Sequence, residues 1–500
     1  MSHFSWTNKT AWKLPFFVSL LAIFSLMKSA GPNSPLLAAE EGSVAKAAHR
    51  YGALPSVGEG REPCETPTTN PGATVLSSSI SWQHILEAEA KAGDTFLLRG
   101  GTYLIDHQLR PNAGAPGQPI TIKPYNCEAV TLAGTIRPVS HTIIAGMRLT
   151  LPLATDENWV LRLDGKNMGH IEDVVIRNNS IFGGSVDALR ISDDVTKVTI
   201  SGNHIDGGRD GHVIFVTSEN RVFEPDLIYI FQNLLTKALF DTPSEDMLQV
   251  RDAHRVRFIN NTCANGYNME QCIDIKSMSA PMIIRGNLLE GQTLHQAGTG
   301  EDGAGGCMVI HESDGTPEPH VVEANFFSHC ASTAIRFATG DVGEVSSAIV
   351  KRNIFATTSS ADGEVRIWQA ENVAFINNTM VHGRLKLGDA DQQKTPLNTI
   401  LKNNIFYGTR IDDQIELPGY TYQCAHNLLY QTTGSGFSNS QCTDMLFANP
   451  LFVDLDSVNF HLRPESPARG AGEGGLDLGA YPYEAFDERL YLPLLIYDGE

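Results

Sequence analysis

VRFINNTC, residues 256–263, is a short apolar strand that ends on an asparagine, and the same phrase returns along the chain. It appears as VVIRNNSI at 174–181, VTISGNHI at 198–205, IYIFQNLL at 228–235, MIIRGNLL at 282–289 and HVVEANFF at 320–327. AIVKRNIF at 348–355, VAFINNTM at 373–380 and TILKNNIF at 399–406 continue the series. The closing residues are Asn179, Asn203, Asn233, Asn261, Asn287, Asn325, Asn353, Asn378 and Asn404, at spacings of 24, 30, 28, 26, 38, 28, 25 and 26. The long interval holds a Gly-rich insertion, Gly298 to Gly306. A fixed period of this size marks a repeat architecture, in which each unit buries its apolar face only against its neighbours.

A second short strand falls between successive asparagines: ALRIS, VIFVT, MLQVR, CIDIK, CMVIH, AIRFA, EVRIW and RLKLG. Its alternation has period two, the mark of a strand with one buried face. Two strands per repeat without an intervening helix point to an all-β right-handed parallel β-helix and away from a βαβ fold. Asparagine suits the corner because it tolerates left-handed backbone and its amide can bond to the next coil. Its role there is structural.

The flanks differ from the body, as solenoid caps do. Trp82 to Ala92 reads as a short amphipathic capping helix, followed by a strand from Thr95 to Arg99. The resulting division is a signal peptide at 1–39, a leader at 40–75, and an N-terminal cap with the first coils at 76–140. The β-helix follows at 141–430 and an irregular C-terminal cap at 431–500. Lys9 and Lys13 precede an apolar run from Pro15 to Met27, which is too short for the roughly 20 residues that span a bilayer and fits a secretory signal. The expected location is therefore secreted or periplasmic, with no membrane insertion after cleavage and a monomeric chain. A formal net charge of -20 argues against a nucleic-acid partner.

Eight cysteines without a C-x-x-C pair suggest disulfides in an oxidising compartment. Cys424–Cys442 encloses a short polar loop, and Cys64–Cys127 would tie the N-terminal cap. Cys272 and Cys307 fall in one outward column on adjacent coils, a separation that suits a third bond.

Stacking Leu248, Ile273, Met308, Ile335 and Val365 inward fixes the register of the second strands. One outward column then reads Arg190, Phe215, Gln249, Asp274, Val309, Arg336, Arg366 and Lys386. The next reads Ser192, Thr217, Arg251, Lys276, His311, Ala338, Trp368 and Gly388. Coils lie about 4.8 Å apart, so Arg251, Lys276 and His311 become neighbours, with Asp274 beside them. Arg336, Arg366 and Trp368 extend the face as cations and an aromatic platform for sugar. At that spacing Arg251 would lower the Lys276 pKa by up to roughly 2.5 units, while Asp274, about 7 Å away, would oppose it by nearly 2. The acidic triplets at 389–391 and 454–456 are weak calcium signals by themselves.

AKAGDTFLLRGGTY at 90–103, GQPITIKPY at 117–125 and CIDIKSMSAPMIIRGN at 272–287 resemble the chondroitinase B and alginate lyase family of β-helix enzymes. The closing NPLFVD, FHLRPESPARGAG and DLGAY resemble the C-terminal segment of secreted β-helix proteins. The resemblance implies β-elimination on an acidic, uronate-containing polysaccharide, with calcium or cationic side chains neutralising the substrate carboxylate. It makes Lys276 the base and sets His311 at the family's basic position one coil later, although Ile310 stands where arginine is usual. Asp274 would be the calcium ligand. Two other readings share the scaffold: a non-catalytic carbohydrate-binding protein, and a glycoside hydrolase using two carboxylates such as Asp246 and Asp274.

Overall fold

Each asparagine phrase folds as two strands bent at the asparagine, not as one. Ile171–Arg177 and Ser180–Gly183 belong to different sheets, and Asn178 and Asn179 form the corner between them. A coil therefore carries three strands where the sequence reads as two. The left-handed residue is also not the recurring asparagine but the one before it. Asn178, Gly202, Gln232, Asn260, Gly286, Ala324, Arg352, Asn377, Asn403 and His426 all have φ between 53° and 66°. Left-handed backbone costs an ordinary residue about 1–2 kcal/mol, so something must hold the corner. The following asparagine does so: Asn203 Oδ1 accepts the Asn179 main-chain N–H at 2.9 Å and its side-chain amide at 3.2 Å. Asn203 Nδ2 donates back to the Ile176 carbonyl at 2.9 Å. The ladder repeats coil by coil and extends past Asn404 to Asn427.

The computed structural model describes residues 62–483, except 80, 152–157, 220, 238–244, 267–268, 291–305, 312–317, 331, 338–346, 358–362, 369, 390–395, 415–421 and 438–441. The expected signal peptide, the leader to residue 61, the Gly-rich stretch to 305, Ala338, residues 390 and 391, and 484–500 lie outside the described residues. Among the described residues the strands form three parallel sheets of 14, 13 and 11 strands, making a parallel β-helix. None of the helices there is long and apolar enough to cross a membrane.

The core is made of stacked columns. Ile176, Ile200, Ile230, Phe258, Ile284, Val322, Val350, Phe375 and Leu401 lie over one another in the first sheet and are fully buried. Each contributes roughly 1.5–3 kcal/mol by leaving water, which offsets the ordering of its coil. Phe327, Phe355 and Phe375 stack face to face at 4.7 and 5.6 Å.

The N-terminal helix is shorter than the sequence pattern: one turn at Trp82–His84 runs into a wider turn at Ile85–Glu89. Its apolar side still caps the first coil, with Trp82 edge-on to Tyr103 at 5.2 Å. The C-terminal segment folds as an antiparallel hairpin, Phe452–Asp454 with Asn459–Leu462, and its tail bonds back to the coils through Ala480 N–H on Thr379 Oγ1. Asp454 there accepts the Ser457 N–H within the hairpin turn, a structural use of the acidic triplet.

Three disulfides are present: Cys64–Cys127, Cys424–Cys442 and Cys307–Cys330. The expected Cys272–Cys307 bond is not formed. Both residues are fully buried, not outward, because the start of the strand lies inside the corner against the second sheet. The Cys272 thiol reaches the Glu290 carbonyl at 3.3 Å, and Cys330, at a Cα separation of 5.4 Å, closes on Cys307. Cys263 and Cys272 remain thiols.

Candidate active site

The third sheet positions every residue of the charged face. Its pairing sets Arg162, Arg190, Phe215, Gln249, Asp274, Val309, Arg336, Arg366, Lys386 and Asp412 in one column. Ser192, Thr217, Arg251 and Lys276 form the adjacent one, and the His311 N–H bonds to the Ile275 carbonyl on the coil of Lys276.

Asp274 is the centre of this face. Its carboxylate is 1 % exposed, with Lys276 Nζ 2.5 Å from Oδ2 and His311 Nε2 3.1 Å from Oδ1. Burial alone would push this carboxyl up, but the contacts and charges of His311 and Lys276 outweigh it and hold it down at about 2. Burial likewise works to depress Lys276, yet the Asp274 ion pair, with the Asp246 and Glu270 charges behind it, raises the lysine above its ordinary value. The expected balance between Arg251 and Asp274 is thus not what the molecule adopts. The lysine chain folds back onto Asp274, whereas Arg251 turns to Asp252 at 3.3 Å, a carboxylate shared with Arg221 at 2.8 Å. Lys276 is a cation in this arrangement and not a free base.

Trp368 also differs from its expected use. It is 6 % exposed, with the Arg366 guanidinium 4.2 Å from its ring centroid and Lys386 Nζ at 5.0 Å. The ring is a seat for two cations and not an open surface for sugar. Arg366 also pairs with Glu364, and Arg384 bridges Glu364 at 3.0 Å and Asp412 at 2.6 Å. Arg336 stands between Val309 and Arg366 in the column, half-buried.

One coil before Asp274, Asp246 is fully buried and accepts from the Gln271 N–H at 2.9 Å. Burial first, then the Asp274 and Glu270 charges, pushes its carboxyl well above the usual range. The Gln249 amide bridges the two aspartates, at 3.2 Å to Asp246 and 3.0 Å to Asp274. An acid and a carboxylate with their pKa values driven apart are what a glycosidase needs. Asp246, however, is enclosed and cannot meet a sugar.

Calcium fits poorly. It takes about six to eight oxygen ligands, and the Asp274 carboxylate is already engaged by two nitrogen groups. Lys386 occupies Asp389 at 2.9 Å. A different group could hold a metal ion: His212, Glu245 and Asp246 each bring a ligand atom within 4.8 Å of the others.

Of the column two positions before each inward-facing start, which holds Asp187, His212, Asp246 and Gln271, the sequence singled out Asp246 alone. Reading SVDALRIS, GHVIFVT and SEDMLQV two residues further upstream exposes it.

Among solved structures, the chain is similar to a PL6-family alginate lyase, AlyGC. The TM-score is 0.53 at 16% identity, over 83% of this chain and 60% of that one. It therefore spans less than two thirds of that enzyme. A mannuronic acid-specific polysaccharide family 6 lyase from the human gut microbiota matches at a TM-score of 0.50 and 13% identity, over 74% of this chain and 89% of that one. At these identities the likeness establishes a shared β-solenoid fold. No protein-family model and no curated protein matches the sequence.

Proposed function

We propose that the face around Asp274 is the active site of a lyase that cleaves a uronate polysaccharide by β-elimination. The observation that carries this reading is one buried carboxylate gripping two proton-transferring side chains from adjacent coils, Lys276 and His311. His311 Nε2 lies 3.1 Å from Asp274 Oδ1, and with its proton on that nitrogen Nδ1 carries the lone pair and His311 is the base. Lys276, held as an ammonium, is the acid. In the reaction His311 Nδ1 takes the proton from C5, the C5–H electrons form the C4–C5 double bond, and the C4–O4 bond breaks. The departing oxygen takes its proton from Lys276. Arg251, Arg336 and Arg366 supply positive charge for the uronate carboxylates, and no step passes through calcium.

This assignment reverses the roles that resemblance implies for Lys276 and His311, because the Asp274 ion pair works against a basic lysine. The alginate lyase activity of the similar structures supports the substrate class, and the three disulfides support an extracytoplasmic location with residues 1–39 as signal. The chain would act as a monomer.

The test is incubation with a panel of uronate polymers while following ultraviolet absorbance of the unsaturated product. His311→Ala and Lys276→Met should each lower turnover by about 10²–10⁴-fold. Full activity in either variant removes its assigned role. Wild-type protein that releases no unsaturated product from any polymer overturns the lyase reading in favour of binding alone.

A further inference from the structure

His212 is held as a metal-ligating histidine is held, one coil before Asp246. Asp187, on the preceding coil, accepts at Oδ1 from both the His212 main-chain N–H and Nδ1, each at 3.0 Å. The Asp187 carboxylate is fixed in turn by Trp159 Nε1 at 3.3 Å and Arg190 at 3.2 Å. A carboxylate only accepts, so the imidazole hydrogen resides on Nδ1 and Nε2 presents its lone pair. Among the described residues that nitrogen has no partner, although His212 is 7 % exposed. Asp187 occupies one edge of the ring, and the next coil brings Asp246 and Glu245 to within ligand-atom distances of 4.8 Å. Asp246 is locked by the Gln271 N–H and the Gln249 amide. Lys237, the nearby buried cation, spends its ammonium on the main-chain carbonyls of Gly211 and Glu245.

We propose that His212, Glu245 and Asp246 bind a divalent cation of the zinc class, with Asp187 as the outer partner that orients the imidazole. A carboxylate behind a ligating histidine fixes its tautomer and raises its basicity. The imidazole selects against calcium, which prefers an all-oxygen shell, and favours ions that accept nitrogen. The site lies outside the proton-transferring pair of the proposed lyase and is linked to it by Gln249, which joins Asp246 to Asp274. Its existence does not depend on that activity.

The experiment titrates zinc chloride into the full chain, stripped with chelator, by calorimetry and without polysaccharide. The expected result is one zinc per chain, undisturbed by equimolar calcium. Affinity should fall at least about 100-fold in His212→Gln and about 10–100-fold in Asp187→Asn. Zinc K-edge absorption of the loaded wild-type protein should report one imidazole nitrogen among oxygens, a readout that needs no variant to fold. Absent binding, displacement by equimolar calcium, unchanged affinity in folded His212→Gln, or a shell without imidazole each overturns the proposal.

Discussion

The asparagine corner and the outer face of the third sheet run beside each other through the same coils, yet they are built on opposite plans. In the corner, the main-chain N–H of each rung meets the next asparagine at 2.8–3.0 Å from Asn179 to Asn427, whatever the neighbouring residue. On the face the partnerships change along the coils: Asp274 serves Lys276 and His311, Arg384 bridges Glu364 and Asp412, and Trp368 carries two cations. A backbone requirement that recurs every coil forces one residue type. A surface free of that requirement can hold chemistry confined to a single coil.

Substitution in the two regions should therefore differ sharply. Asn261→Ala removes the side-chain amide bonds to Asn233, Asn287 and the Ile230 carbonyl and strands the buried Asn233 N–H and Ile230 carbonyl. We expect a loss of about 3–5 kcal/mol, read as a shifted midpoint in urea unfolding. A loss under about 1 kcal/mol would erase the contrast.

A second test lies on the first sheet, where fully buried His320 accepts the Met282 N–H at 2.9 Å and burial depresses it to about 4. The unfolded imidazole takes its proton near pH 6.5 and the folded one only near 4. This contribution is complete above about 6.5 and is lost as pH falls through 4, for about 3 kcal/mol in all. Thermal melts across that window should show the slope in the wild type and not in folded His320→Gln. The smallest effect belongs to the face. Arg251 is exposed and shares Asp252 with Arg221, so Arg251→Ala should move stability by no more than about 0.5 kcal/mol. A larger loss would mean that the face, too, is structural.

The sequence made the strand register legible because Leu248, Ile273, Met308, Ile335 and Val365 are apolar by necessity and stand in one buried column. It hid the third strand of each coil because the bend is carried by the residue before the asparagine. Gln232, Ala324, Arg352 and His426 fill that position alike, so no residue type marks it. The candidate site was legible as a set of neighbours and not as a set of partners. Lys276 and Arg251 have long, flexible chains, and their choice of Asp274 and Asp252 depends on where those carboxylates are held. Cys272 was misjudged for a related reason, since strand alternation does not reveal that the strand begins inside a corner.

The asparagine column also has a direction. Every rung turns its carbonyl oxygen toward the preceding coil and donates one amide hydrogen to the next, so ten amide dipoles point the same way along the solenoid. A central amide such as Asn287 is polarised from both sides, whereas Asn179 ends on the Met147 N–H and Asn427 on the Met445 sulfur. Mutual polarisation strengthens each interior bond by about 10–30%. The column therefore resembles a stack of aligned magnets, tightest at mid-length and loosest at its poles, and melting should begin at the poles.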